Sequence, residues 1–175
     1  MSRTETSILI ETEEFCISSM SEHDLLEVVE IEEASGLSRW GWEAYHAELS
    51  EGRGALMLVA LCDSLGAGAA GAKMTVVGFI AARLARDELH INNVAVRDMY
   101  RRRGIGGALL SAILREGARR GARVALLEVR ASNLPAQALY AQYGFRAAGR
   151  RRNYYTDPTE DALVMNAALL ETGLI

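Results

Sequence analysis

Residues 94 to 110, Val-Ala-Val-Arg-Asp-Met-Tyr-Arg-Arg-Arg-Gly-Ile-Gly-Gly-Ala-Leu-Leu, run from an apolar strand through a basic, glycine-containing loop into a helix. That combination suits an anion. Gly104, Gly106 and Gly107 let the backbone approach a ligand closely, and the first turn of the following helix has N–H groups without intrahelical acceptors. Those donors and the positive end of the helix dipole favour a phosphate or pyrophosphate by roughly 0.3–1 kcal/mol per charge. Arg101, Arg102 and Arg103 add full charges. An ordinary surface loop entering a helix shares most of these features, so the flanking sequence decides between the two readings.

Two nucleotide-binding patterns fail on spacing. Gly104-x-Gly106 opens a helix after a strand, and Glu128 follows near a later strand end, as a dinucleotide site requires. The dinucleotide fingerprint, however, puts its first glycine directly after the strand and a third glycine where Leu109 stands; here residues 97–103 intervene. A P-loop needs Gly-Lys-Ser/Thr, which does not occur.

The elements that must position this loop can be read in order. Residues 13–19 form a first strand, and Ser21 with Asp24 caps a helix whose Leu25, Val28, Val29 and Ile31 share one side, ended by Gly36. After a turn containing Trp40, residues 42–50 form a short helix with Tyr45 and Leu49 inward. Ala55 to Cys62 is a continuous apolar strand buried on both faces. The Gly/Ala-rich residues 63–73 form a long flexible hairpin loop. Strands follow at Thr75–Leu84 and Leu89–Val96, joined by a turn at Asp87-Glu88. From Ile105 to about Arg120, Ile105, Ala108, Leu109, Ala112 and Ile113 fit one buried helix face. Strand Val124–Val129 completes a βαβ-like unit. Ser132-Asn133 and Pro135 begin a last helix carrying Leu139, Tyr140 and Tyr143, and Gly144 stops it. Phe145–Tyr155 and Ala162–Leu169 make an antiparallel pair.

A chain of 175 residues, half of them hydrophobic, fits one domain (1–175) with a full core. The run Ala55 to Cys62 is far too short to span a bilayer, and Met1-Ser2-Arg3-Thr4-Glu5 lacks an apolar secretory segment, so no membrane is expected and the location is cytoplasmic. Cys16 and Cys62 lack metal-ligand spacing and read as core residues; no metal is expected. Residues 1–96 carry 6 basic and 16 acidic side chains, residues 97–175 carry 13 and 7. The second half therefore suits an anionic ligand and the first a cationic one, although Glu22 to Glu33 read mainly as a charged helix face. A pI of about 5.5, with basic residues clustered at one loop and no aromatic platform, argues against direct nucleic-acid binding.

Arg101-Arg102-Arg103-Gly104-Ile105-Gly106 resembles the Arg/Gln-x-x-Gly-x-Gly/Ala signature of the GNAT superfamily of N-acetyltransferases. Asn93-Val94-Ala95-Val96 before it fits the same pattern. Leu127-Glu128-Val129-Arg130-Ala131-Ser132-Asn133, Ala138-Leu139-Tyr140, Gly144-Phe145, Arg151-Arg152-Asn153-Tyr154-Tyr155 and Glu160-Asp161-Ala162 are similar to the bacterial ribosomal-protein alanine N-acetyltransferases of the RimI type. The resemblance is close over residues 88–166 and holds in outline before that. It implies a mixed α/β (α+β) fold, with a mostly antiparallel sheet, a splayed parallel pair around the cofactor and about four flanking helices. It implies acetyl-CoA as cosubstrate, with Val94, Ala95 and Val96 meeting the pantetheine arm and acetyl group. Arg101, Arg102, Arg103, Gly104, Ile105, Gly106 and Gly107 would hold the pyrophosphate, and Asn133 would also bond the cofactor. Glu128 would be the general base and Tyr140 the general acid, while Trp40, Tyr154 and Tyr155 would border the peptide slot. Arg39 replaces the proline usual before the tryptophan, and Thr159 a glycine before Glu-Asp-Ala.

The chemistry fits an α-amine. Its pKa of roughly 7.7–8.0, against about 10.4 for lysine, leaves roughly a tenth neutral at pH 7 but fewer than about one lysine in a thousand, a difference of about 3.5 kcal/mol. A carboxylate acting through water is adequate for the first and strained for the second. Glu128 reads equally as a strand-end ion pair with an arginine, and Tyr140 as a core aromatic. A tyrosine of ordinary pKa is a poor acid for a thiolate unless proton transfer accompanies bond breaking or the site lowers its pKa. A backbone N–H near Val94 or Ala95 can serve the carbonyl oxygen. His90 reads as a structural strand residue, His23 and His46 as surface residues. The expected substrate is the N-terminal alanine of a small-subunit ribosomal protein, protein eighteen. The alternatives are a small-molecule amine or lysine acceptor, and a non-catalytic acyl-CoA-binding module. The protein is expected to be a monomer or weak homodimer.

Overall fold

The computed structural model describes residues 8–12, 14–37, 39–63 and 74–169. In chain order the elements are β1 (Ile8–Glu11), β2 (Cys16–Ser19), α1 (Leu25–Ala34), α2 (Gly41–Glu51), β3 (Ala55–Asp63), β4 (Met74–Ala85), β5 (Glu88–Val96), α3 (Ile105–Arg119), β6 (Val124–Arg130), α4 (Leu134–Gln142), β7 (Arg146–Thr156) and β8 (Thr159–Ala168), with 3-10 turns at Glu22–Asp24 and Asp98–Tyr100. The strands form one sheet in the order β1-β2-β3-β4-β5-β6-β8-β7. β5 and β6 are parallel from Glu88/Val124 to Ile91/Leu127, with α3 as the crossover, whereas β1–β2, β2–β3, β6–β8 and β7–β8 are antiparallel. This is the expected mixed sheet with its single parallel pair among the described registers.

Most boundaries fall within two residues of the sequence reading. β1 is an addition: Ile8-Leu9-Ile10-Glu11 is short and lies beside a second short strand, a pattern too brief for alternation to register. The first expected strand begins at Cys16 instead of residue 13. The turn between β4 and β5 falls at Arg86-Asp87, with Arg86 in the left-handed region at φ 58°, so Glu88 is already strand. Val124 to Arg130 alternates between half-buried and buried positions. Cys62 is in the core and Cys16 is half-buried against it. The expected loop at 63–73 lies, from residue 64 on, outside the described residues.

Two compact units share β4, β5 and α3 between them. The first, residues 1–81 with 93–113, is built around Tyr45, Phe79, Leu25, Ile31, Val59 and Leu61, each at most 2% exposed. Full burial of such a side chain contributes roughly 1.5–3 kcal/mol. The α1 residues in that core are those the helical spacing selects, and the Asp24 carboxylate starts the helix by accepting from Ser21 N and Ser21 Oγ, both at 2.8 Å. In the second unit, residues 82–92 with 114–175, Leu89, Ala125, Leu127, Phe145, Ala162 and Met165 form the buried layer. Gly117 packs so closely on Leu89 that a Cβ would stand 2.6 Å from Leu89 Cδ2.

Candidate active site

The basic, glycine-containing loop of residues 94–110 belongs to the first unit and has the shape of an open cradle. β5 delivers Val94, Ala95 and Val96, and the chain then turns over at Arg97, whose N–H donates to Val77 O (2.8 Å) and whose Nε donates to Val76 O (2.9 Å). Arg97 also pairs with Glu30 at 3.0 Å and Glu27 at 3.6 Å on α1, which tie the end of β5 to that helix. Arg101 Nε donates back to Val96 O (3.1 Å), and the Arg103 guanidinium lies over the Tyr100 ring. Arg102 and Gly104 both take left-handed backbone, φ 64° and 79°, and nothing stands within 4 Å of where a Gly104 Cβ would be. Residues 101–104 are exposed, and Gly104 O accepts from Ala108 N (2.9 Å), so the preceding N–H groups of α3 have no intrahelical acceptor. An exposed turn of donors with three arginine side chains fits a pyrophosphate. Gly78 lies under the strand: a Cβ there would meet Ala95 O at 2.9 Å.

The same unit holds a feature that the sequence reading did not assign. Glu32 of α1 is fully buried. Its Oε1 accepts from Trp40 N (3.0 Å), Tyr45 Oη (2.7 Å) and Asn93 Nδ2 (3.2 Å), and its Oε2 accepts from Gly41 N (3.0 Å). Asn93 Nδ2 donates as well to Tyr45 Oη (2.8 Å). Burial, followed by the Glu32 hydrogen bond, pushes the Tyr45 hydroxyl far above the usual tyrosine range. Trp40, expected at the peptide slot, is half-buried with its ring 5.3 Å from that of Tyr45.

The second unit holds the proposed acid and base. Glu128, on β6 opposite Val164 of β8, is half-buried and paired with Arg151 of β7, Oε1 to Nη2 3.1 Å. The ion pair foreseen as its ordinary role is therefore present, with Arg151 as partner. Asn133 caps α4, its Oδ1 accepting from Ala136 N (3.2 Å), and its side chain is exposed. Tyr140 is 6% exposed beside Phe145, ring centroids 5.8 Å apart. Burial, and after it the neighbouring Tyr155, pushes its hydroxyl well above the usual range, the opposite of the lowering that would make it a better acid. Both readings of Tyr140 thus coexist: it is a packed aromatic with a hydroxyl that stays protonated.

Tyr154 lies within, and Tyr155 closes, a bulge in β7 between Arg151 and Tyr155, where Asn153 takes φ 50°. Asp161 fixes that bulge by accepting from Asn153 N (2.9 Å) and Arg150 Nε (2.7 Å). Glu160 accepts from Ser132 N (2.6 Å) and Arg130 Nη1 (3.3 Å), and the Arg130 guanidinium covers the Tyr155 ring at 4.2 Å. Burial pushes the Tyr155 hydroxyl up to about 12, with Tyr154 adding to it and Arg130 opposing it. Both acidic carboxyls sit below their usual ranges, Glu160 through Ser132 and then Arg130, Asp161 through Asn153 N and then Arg150. His90 is an exposed strand residue paired with Glu88 (2.9 Å), and His46 pairs with Glu22 (3.2 Å). Among the described residues, no group of three His, Cys, Asp or Glu side chains is placed to hold a metal, and no helix is long and apolar enough to cross a membrane.

The sequence pattern of the acetyltransferase (GNAT) family matches residues 25–145, which takes in both Glu128 and the cradle. The chain belongs to that family. It is an acetyltransferase, and acetyl-CoA is the acetyl donor that GNAT enzymes use. A Bacillus subtilis protein, provisionally named a ribosomal protein bS18-alanine N-acetyltransferase, is 36% identical over 149 residues, 85% of this chain and 92% of that protein. The crystal structure of the ribosomal-protein-S18-alanine N-acetyltransferase from Escherichia coli superposes with a TM-score of 0.74 at 33% identity, covering 91% of this chain and 96% of that one. Ard1 from Thermoplasma volcanium superposes with a TM-score of 0.75 at 28% identity, covering 90% and 99%. The GNAT resemblance read from Arg101 to Gly106 and from Glu128 to Ala162 is borne out.

Proposed function

We propose that this acetyltransferase modifies the α-amine of a protein, the N-terminal alanine of small-subunit ribosomal protein eighteen, using acetyl-CoA in the cytoplasm. The observation that carries the reading is likeness over nearly the whole chain, at 33–36% identity, to proteins named for that activity. Residues 101–107 would hold the pyrophosphate, Val94 to Val96 the pantetheine arm and Asn133 a further cofactor contact, while Trp40, Tyr154 and Tyr155 would border the acceptor. The acceptor's amine nitrogen forms a bond to the thioester carbonyl carbon, and the carbon–sulfur bond breaks. Glu128 takes the ammonium proton through water, a backbone N–H at Val94 or Ala95 donates to the carbonyl oxygen, and Tyr140 returns a proton to the departing sulfur. Because the Tyr140 hydroxyl is raised, that last transfer accompanies carbon–sulfur cleavage instead of preceding it.

Three acceptors test the reading: an Ala-Arg-initiated peptide, the same peptide blocked at its α-amine, and a polyamine. Acetylation of the first alone is expected. Activity that survives the block moves the acceptor to a lysine or small amine, and binding of acetyl-CoA without turnover on any acceptor leaves a binding module. Mass spectrometry of ribosomal proteins from cells with and without the gene identifies the target directly.

A further inference from the structure

Glu32, at 0% exposure, is the most deeply buried acidic side chain among the described residues, and each of its hydrogen-bond partners Trp40, Gly41, Tyr45 and Asn93 donates to it. A helix-surface acid in the run Glu27 to Glu33 has no reason to be there, since burying a carboxyl costs far more than exposing one. The four donors come from three separate places: the entry to α2 at Trp40 and Gly41, the middle of α2 at Tyr45, and β5 at Asn93. Two of them are backbone N–H groups at the start of α2 that no intrahelical carbonyl can satisfy. Trp40 is held twice, its backbone by Glu32 and its ring against Tyr45. Asn93 is likewise held twice, and the residue after it is Val94.

We propose that Glu32 is a positioning residue for the acceptor peptide: one buried carboxyl fixes the Trp40–Gly41 turn against Asn93, and so sets the acceptor wall in register with the strand that presents the acetyl group. The inference rests on the proposed placement of Trp40 at the acceptor. In Glu32→Gln the carboxamide can keep an oxygen towards Trp40, Tyr45 and Asn93, but its NH2 then faces the Gly41 N–H, donor against donor. Tyr45→Phe is milder. It leaves both backbone donors to Glu32 intact and removes only the hydroxyl that bridges Glu32 and Asn93.

The full-length protein is assayed with acetyl-CoA and the Ala-Arg-initiated peptide, with a thermal melt for each variant. Glu32→Gln is expected to raise the peptide KM about tenfold, and Tyr45→Phe about threefold, with kcat and the acetyl-CoA KM held within about twofold. If Glu32→Gln does not fold, Tyr45→Phe decides alone. An unchanged peptide KM, or equal changes in kcat and in the KM of both substrates, overturns the inference while leaving the proposed function standing. A wild-type protein that acetylates the polyamine or the blocked peptide but not the free N-terminus overturns the proposed function and the inference with it.

Discussion

At the scale of single residues, the proposed base and acid owe their behaviour to opposite surroundings. Glu128 is half-buried and held by Arg151, whereas Tyr140 is enclosed beside Phe145. Glu128→Gln is expected to lower kcat about 100-fold or more while the dissociation constant of CoA, read by calorimetry, stays within about twofold. Tyr140→Phe should behave the same way with a smaller loss, about tenfold. The raised Tyr140 hydroxyl also fixes the shape of the pH profile. A raised pKa keeps the acid form populated to higher pH, so kcat/KM should rise with deprotonation of the α-amine towards about pH 8 and then stay level to about pH 10. A fall centred near pH 10 that vanishes in Tyr140→Phe would show a tyrosine of ordinary acidity. Both residues stand as candidates in the sequence through the motifs around them. Arg151 does not, because its partner depends on which residues of β7 and β8 face each other across a bulged register. Glu32 does carry a signal in the sequence: it stands four residues after Val28 and seven after Leu25, on the buried stripe of α1.

At the scale of elements, α3 and β5 were readable from the helical and alternating periods of their apolar residues and β3 from an unbroken apolar run, whereas the four residues of β1 give no pattern to read. What no local pattern reveals is close approach between strands, and Gly78 is the example. It sits on β4 where a Cβ would meet Ala95 O at 2.9 Å, Val96 Cγ2 at 3.2 Å and Ile105 Cγ2 at 3.4 Å. The first of these is backbone of the proposed acetyl-presenting strand and cannot yield without moving that strand. Gly78→Ala should therefore cost about 1–3 kcal/mol, lowering Tm by roughly 2–12 °C, and should raise the KM for acetyl-CoA. Gly104→Ala gives the contrast. Space is open there, so the penalty is the left-handed backbone alone, about 1 kcal/mol, with no displacement of β5. Thermal melts and acetyl-CoA kinetics on the two variants separate packing from backbone strain; a wild-type acetyl-CoA KM in Gly78→Ala would remove the structural role assigned to Gly78.

At the scale of the whole molecule, the charge asymmetry between the two halves of the sequence reappears as an acid sensitivity. Residues 97–175 carry 13 basic and 7 acidic side chains, and several of those acids are recruited to hold arginines. Glu116, near the end of α3, bonds Arg119 and Arg120, and these hold its carboxyl down at about 2, with burial opposing them. Glu160 and Asp161 are lowered as well. A carboxyl whose folded pKa lies below its unfolded one stabilises the fold above the ordinary range, near 4.5 for Glu and 3.8 for Asp. That contribution is lost as pH falls through this range towards the folded value, near 2 for Glu116. Stability should therefore be level from about pH 7 to 5 and fall steeply below, as lost ion pairs leave the arginines to repel one another. The Glu116 side chain is 14% exposed but its partners are 71% and 44% exposed, so solvent screening reduces the pair's contribution to about 1 kcal/mol. Glu116→Gln should then lower Tm by about 2–4 °C at pH 7, and the gap to wild type should close as the pH approaches 2. Melting curves of both proteins between pH 2 and 7 check this, and a gap that stays constant would place the Glu116 contribution in packing instead of charge.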